Sequence, residues 1–441
     1  MDAVNEKMDT DTAVNEVRAN IAGLKVGMYV SRLENTDWLD TPFPLQGVLI
    51  KSDEDIERLK EYGRFVYVDV DRGPSPAPMY ISGQKSTSFT DQQQEAEVQD
   101  YSISTDPNEL GKLNRKSYEN VTPFETEIKK ADKIYKKLVR ELERVVTDLE
   151  QHKKLDLVIV REGISDMVDS IVHNPSAMMW MAQMKKLDTY TYTRSLSTSV
   201  WCATFGRHLG MEINDIQNLA LGGLLLDVGK SSLPVDLLKS RNKLTPDQKQ
   251  QMDEHVNLGV KVLAKATRNS TDNGAHMELL QMIATHHERS DGSGYPQQLH
   301  NDDIPLYGKI AGIADSFDAM TSERPYVQSG AMSPHAAITE LYSLRGIKFP
   351  PDLIENFIQT IGIYPVGSLV ELNTGEVGAV VSISQHLRLR PSVILFLDAD
   401  KNPVSPLRQI DLSKMDHDVF ISRGLPAGFF GIDFEEVLIQ Y

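Results

Sequence analysis

The spacing of apolar residues along the chain changes character three times. From Leu24 to Leu33, and again from Phe65 and Tyr67 through the valines between them, it suits half-buried strands. Between these runs lie a turn-rich stretch around Trp38 and Pro42 and a short helix. That helix has Ser52 at its cap, Asp55 three residues on, Ile56 and Leu59 as an apolar pair and Gly63 as its stop. Residues 15–75 are thus expected to form a small α+β module. Residues 76–121 are rich in Pro, Ser, Thr, Gln, Asp and Glu without periodicity. Such a segment cannot bury enough surface to offset the entropy of ordering, and a flexible linker is expected.

Thr122-Pro123-Phe124-Glu125 then combines a capping-box spacing with proline at the first helical position, which predicts an amphipathic connecting helix over residues 122–151. Along it Ile128, Ala131, Tyr135, Leu138, Leu142, Val145 and Leu149 recur at spacings of three and four. Two readings stay open: the stripe packs onto the domain that follows, or it is the seam of a homodimer through residues 124–149. Residues 152–362 carry helical periodicity almost throughout, which predicts an all-α bundle. After Pro365 the period becomes two, with turns at Asn373-Thr374-Gly375 and Asp398 to Asn402, so residues 363–441 should form a small β-rich extension, a barrel or an antiparallel sheet. The fold class is multidomain, an all-α core between small α+β and β modules.

Composition narrows the functional classes. At 441 residues the chain exceeds one ordinary core, and 40% hydrophobic with 25% charged residues is a globular mix. A net charge of −17 argues against bulk binding to DNA, RNA or anionic lipid, so any phosphate ligand must be held by a local cluster. Cys202 is the only cysteine, which excludes an intrachain disulfide and a thiolate metal cage and suits a reducing compartment. The acidic start Met1-Asp2-Ala3 lacks the basic region of a signal peptide, and no uninterrupted apolar run approaches ~18 residues. A cytoplasmic protein without a membrane span is expected.

Candidate chemistry is scattered over the helical region: Asp227 with Lys230 one turn on, His255, the pair His286-His287, and Asp315. Imidazoles and carboxylates on neighbouring helices are how bundles build metal sites. The text around them is more specific than the residues alone. His286-His287-Glu288-Arg289-Ser290-Asp291-Gly292-Ser293-Gly294-Tyr295-Pro296 resembles the signature of the HD-GYP family of cyclic di-GMP phosphodiesterases. The resemblance extends to Asp227-Val228-Gly229-Lys230, to His255 with Gly259, and to Ile313-Ala314-Asp315-Ser316-Phe317-Asp318 and Arg324-Pro325-Tyr326. It covers residues 185–360. The module around Gly27 to Val30 resembles the domain of unknown function often fused to that family.

The resemblance implies an HD-type helical domain with two or three ions, usually iron or manganese, that hydrolyse cyclic di-GMP to pGpG or GMP. By carry-over, Asp227 would bridge the ions, His255, His286 and His287 would serve one, and Asp315 would help to hold the other. Lys230 would also serve catalysis and, with Arg324, neutralise phosphate, while Asp291, Gly294, Tyr295 and Pro296 would shape the ligand pocket. The sequence departs from the family at two histidines, replaced by Arg194 and Leu226. A guanidinium cannot ligate a metal and leucine offers no lone pair. One ion rather than two or three is therefore expected, with Arg194 replacing the missing ion by pairing with Asp227, Asp315 or both. Arg194 is also expected to touch the ligand. Two functions follow: a degenerate phosphodiesterase that binds cyclic di-GMP or a signalling partner, or an active hydrolase with a reduced metal count. A purely structural adaptor would not require the retained ligands.

Overall fold

A computed structural model describes residues 16–33, 48–60, 62–63, 65–69, 74, 76, 115–151, 157–184, 190–238, 240, 244–267, 273–322, 331–383, 389–415, 418–425 and 429–432. The expected turn around Trp38 and Pro42, most of the expected linker, and Arg324 lie outside the described residues. The chain divides into two compact units, residues 1–101 and 102–441.

The first unit is an antiparallel sheet in the order β1-β4-β2-β3, built from β1 (Glu16–Asn20), β2 (Tyr29–Leu33), β3 (Val48–Leu49) and β4 (Phe65–Asp69), with helix α1 (Asp53–Lys60). Alternation along β4 sends Val66 and Val68 into the core with Ala19 and Val30. On other positions of the same strands, Arg18 lies 3.9 Å from the centroid of the Phe65 ring and Arg32 lies 4.0 Å from that of Tyr67. The start of α1 is held by Asp55, whose carboxylate accepts from the backbone N–H groups of Lys51 and Ser52 at 2.9 and 3.1 Å.

In the second unit, α2 (Phe124–Glu150) lies against α3 (Leu157–His173) and α4 (Pro175–Met184). Its stripe is spent on that packing: Ile128, Ala131, Tyr135, Leu138, Leu142 and Val145 are all buried, and Phe124 meets the edge of Trp180 at 5.9 Å. A homodimer through residues 124–149 would therefore need a face other than this one. The bundle continues with α5 (Tyr190–His208), α6 (Ile213–Leu225), the short α7 (Val235–Leu238), α8 (Pro246–Asp253), α9 (His255–Thr267), α10 (Asn273–Thr285), α11 (Leu306–Thr321), α12 (Pro334–Ser343) and α13 (Pro351–Ile361). Pro246, Pro334 and Pro351 open their helices with φ already set and no amide left over. The centre of the bundle is an aromatic cluster joining α5, α11 and α13: Trp201 meets Phe317 edge-on at 5.3 Å, and Phe357 meets Phe205 at 5.2 Å and Phe317 at 5.6 Å.

The chain then forms a five-stranded antiparallel sheet in the order β8-β7-β6-β5-β9, from β5 (Leu369–Leu372), β6 (Val377–Ser382), β7 (Ser392–Leu397), β8 (Pro403–Asp411) and β9 (Ile421–Leu425). Val370, Leu372, Val380, Val393, Leu395, Leu412 and Ile421 form its core. Among the described residues, no helix is long and apolar enough to cross a membrane.

Candidate metal centre

Four side chains expected from the sequence converge where α6, α9 and the end of α10 meet. Asp227 follows α6 and opens the 3-10 turn Val228–Ser232, which brings Lys230 back so that its ammonium donates to Asp227 Oδ2 at 2.6 Å. Gly229 lets this turn lie directly on α9: a Cβ there would stand 2.0 Å from the His255 carbonyl oxygen and 2.4 Å from the Gly259 nitrogen. The contact leaves Asp227 Oδ1 3.4 Å from His255 Nε2.

The histidines are prepared as ligands. His255 Nδ1 stands 2.8 Å from the Met252 carbonyl oxygen and His286 Nδ1 stands 2.7 Å from that of Ile283. An acceptor at Nδ1 fixes the proton there and leaves the Nε2 lone pair bare. Both Nε2 atoms are buried without a hydrogen-bond partner, and ligand atoms of Asp227, His255, His286 and His287 all lie within 4.8 Å of one another. Burial lowers the pKa of all three imidazoles; His286 falls to about 4 from burial and from the neighbouring His255. Burial opposes the charge on Asp227, but Lys230, His255 and Arg194 outweigh it and hold the carboxyl well below its usual range. Neutral imidazoles around an ionised carboxylate, with buried lone pairs aimed at one space, fit a single divalent ion.

Asp315 does not belong to that set. It sits on α11, where Arg194 of α5 donates from Nη2 to Asp315 Oδ1 at 2.7 Å and places Nε 3.6 Å from Asp318 Oδ2. The expectation that Asp315 ligates a metal meets a guanidinium in the ligand's place. Arg194 pairs with Asp315 as foreseen, but its second carboxylate is the fully buried Asp318 rather than Asp227. Leu226, at the C-cap of α6, is buried among apolar neighbours.

Beside the four ligands opens a cleft of about 370 Å³, lined by Lys230, Arg194, Arg289, Tyr295, Asp315 and others. Arg289, quoted within the His-His-Glu text but given no role there, donates to the carbonyl oxygens of His286 and Glu288 at 3.0 and 2.7 Å, and lies 4.9 Å from the Phe349 ring centroid. Its Nη2 also donates to Ser316 Oγ at 3.4 Å, and Asp315 acts on its charge through space. Of the four loop residues expected to shape the pocket, only Tyr295 lines the cleft. Its ring stacks on His287 at 4.5 Å and 27°. Asp291 instead accepts from the backbone and hydroxyl of Ser293, and Gly294 lies against the 287–289 backbone, 2.4 Å from Glu288 Cα to a hypothetical Cβ. Asp291 and Gly294 thus make these contacts within the loop itself.

Glu288 is the clamp of that loop. Its buried carboxylate accepts from the backbone N–H groups of Gln297 at 2.7 Å and Leu299 at 2.9 Å. Two charge-assisted bonds are worth roughly 3 kcal/mol together, so Glu288→Ala should speed amide exchange at Gln297 and Leu299 by about two orders of magnitude in hydrogen-exchange mass spectrometry. Unchanged exchange there would show that the loop is held by other contacts.

Comparison with known proteins agrees with this geometry. The HD domain family matches residues 174–353, a KOW domain associated with HD domains matches residues 369–426, and a domain of unknown function matches residues 17–158. Among curated relatives, a cyclic di-GMP phosphodiesterase of Pseudomonas aeruginosa is 26% identical over 90% of this chain and 89% of its own length. The chain thus carries an HD domain and is similar to cyclic di-GMP phosphodiesterases. Other curated relatives match over shorter spans. A cyclic di-GMP phosphodiesterase of Thermotoga maritima is 30% identical over 47% of this chain and 54% of that protein. A 3'3'-cGAMP-specific phosphodiesterase of Vibrio cholerae is 33% identical over 36% of this chain and 30% of that protein. The four convergent ligands come from the matched HD region, and so do Arg194 and its two aspartates.

Proposed function

We propose that this protein is a cyclic di-GMP-binding regulator whose phosphodiesterase centre is reduced to one divalent ion, iron or manganese, on Asp227, His255, His286 and His287. The observation that carries the proposal is the Arg194 guanidinium on Asp315 and Asp318. A fixed cation there occupies Asp315, the carboxylate expected to hold a second ion. When bound, one divalent ion supplies Lewis acidity toward a phosphodiester oxygen and lowers the pKa of bound water. The chain's own groups do the rest: Lys230, Arg289 and Arg194 neutralise the phosphates from the cleft wall, and Tyr295 offers its ring edge and fixes the plane of His287. Losing one ion of a two-metal centre removes several kcal/mol of transition-state stabilisation, and at ~1.4 kcal/mol per decade the rate falls on the order of 10³-fold or more. The complete four-ligand set is what favours the second reading, an active hydrolase with a reduced metal count.

Metal analysis and a hydrolysis assay in excess manganese separate the two. About one equivalent of metal with micromolar cyclic di-GMP binding by calorimetry, and turnover at the limit of detection, is the expected result. Two equivalents with ready turnover to pGpG or GMP would establish the hydrolase instead. The double variant Arg194→His, Leu226→His should gain metal; no gain would mean that these positions were matched wrongly to the family's histidines.

A further inference from the structure

A second cavity, of about 440 Å³, lies in the helical unit on a wall of different residues from the metal centre. It is bounded by the segment 115–120 that precedes α2, the start of α4, the end of α5 and the end of α13. Arg115, Lys116, Arg207 and His208 line it, and among the described residues no carboxylate does. In a chain of net charge −17 this is an unusual concentration of basic groups.

Arg207 is the centre of the cavity's chemistry. It is 8% exposed, yet every acceptor it meets is neutral. Nε and Nη2 donate to the Val172 carbonyl oxygen at 3.3 and 3.2 Å, and Nη2 also donates to the Tyr118 carbonyl oxygen at 3.2 Å and Asn120 Oδ1 at 3.0 Å. Nη1 has no hydrogen-bond partner among the described residues. Burial lowers the pKa of the guanidinium to about 10, which still leaves it cationic near neutrality. Glu212, which acts on the lining residue Tyr118, is paired with Lys116. Buried charges in proteins are paired, because an unpaired one carries the full cost of leaving water. Among the described residues no carboxylate forms an ion pair with Arg207.

We propose that this cavity binds a small phosphate monoester, with the phosphate on Arg207 Nη1 and an uncharged organic body against the mixed polar and apolar wall that includes Ser176 and Met179. A bare phosphate would leave most of the space unfilled, whereas ligand pockets of roughly 300–1,000 Å³ suit molecules of mononucleotide size. A guanidinium edge free for a phosphate oxygen supplies the charge-assisted bond such a ligand needs. The site is distinct from the metal centre and does not depend on metal.

Calorimetric titration of the full chain in EDTA with AMP, adenosine and inorganic phosphate tests this. Saturable AMP binding is expected, with adenosine at least tenfold weaker and inorganic phosphate weaker than AMP. Arg207→Gln should weaken AMP at least about tenfold, and Lys230→Ala, in the other cleft, should leave it unchanged. Arg207 also ties three chain segments together, so Thr360→Trp, which fills the cavity from α13 and leaves Arg207 in place, is the second variant; it too should abolish binding. No saturation up to about 10 mM AMP, equal affinity for adenosine, binding that survives in Thr360→Trp, or binding lost in Lys230→Ala would each overturn the proposal. Because no metal is present in the titration, its outcome is independent of the reading of the metal centre.

Discussion

The Arg194→Ala variant should unfold at a temperature about 8 °C lower than the parent, and millimolar manganese should restore at least half of the loss. Arg194 is mostly buried and holds Asp315 at 2.7 Å, while Asp318 beside it is fully buried. Removing the cation from such a pair costs roughly 3 kcal/mol, because the carboxylate charge stays behind in a medium that solvates it poorly. At roughly 2–4 °C per kcal/mol for a domain the size of the HD match, residues 174–353, the shift is readily measured by scanning calorimetry. Rescue by manganese is the sharper half of the result. If the guanidinium stands where a cation belongs, vacating it opens a site for a metal ion, and binding to the folded state alone raises stability by mass action. A variant that loses stability but responds to manganese no more than the parent would show that Arg194 is only a structural pair.

Gly229→Ala should empty the metal centre without touching a ligand. The new methyl group would stand 2.0 Å from one backbone atom of α9 and 2.4 Å from another, and neither can rotate away. The turn and helix must separate, carrying Asp227 away from His255, now 3.4 Å apart. Overpacking against rigid backbone costs about 3 kcal/mol or more, and bound metal should fall from about one equivalent to near zero in elemental analysis. Parent-level metal in a folded Gly229→Ala protein would mean that the glycine contact does not set the ligand geometry.

The residue types of the centre were legible in the sequence, but their division of labour was only partly so. His255, His286, His287 and Asp227 could be picked out because imidazole and carboxylate in that surrounding text have few other uses. Asp318 was within reach too: it lies one helical turn from Asp315, on the same face of α11, and spacing alone would have offered it to Arg194. Arg289 and the roles within the Gly-Tyr-Pro loop were not, since sequence does not tell which side of an irregular loop faces a cleft. The same limit applied to the sheets. β6 and β7 are buried on both faces and read as nearly continuous apolar runs, whereas β8, with Pro403, Pro406 and polar residues, sits at the sheet edge and is largely exposed. β1 has only two apolar residues among five and owes its place to pairing with β4.

The fate of the α2 stripe bears on how any message could travel along the chain. A helix with a free apolar seam can slide or rotate against a twin and so relay a change of register. In α2 six seam residues are already sealed against α3 and α4, and uncovering them would cost on the order of 10 kcal/mol. Such a rod cannot ratchet; it can only tilt as a lever, or be tugged at its N-terminal end, where Asn174 donates to the Thr122 carbonyl oxygen and Arg207 grips Tyr118 and Asn120.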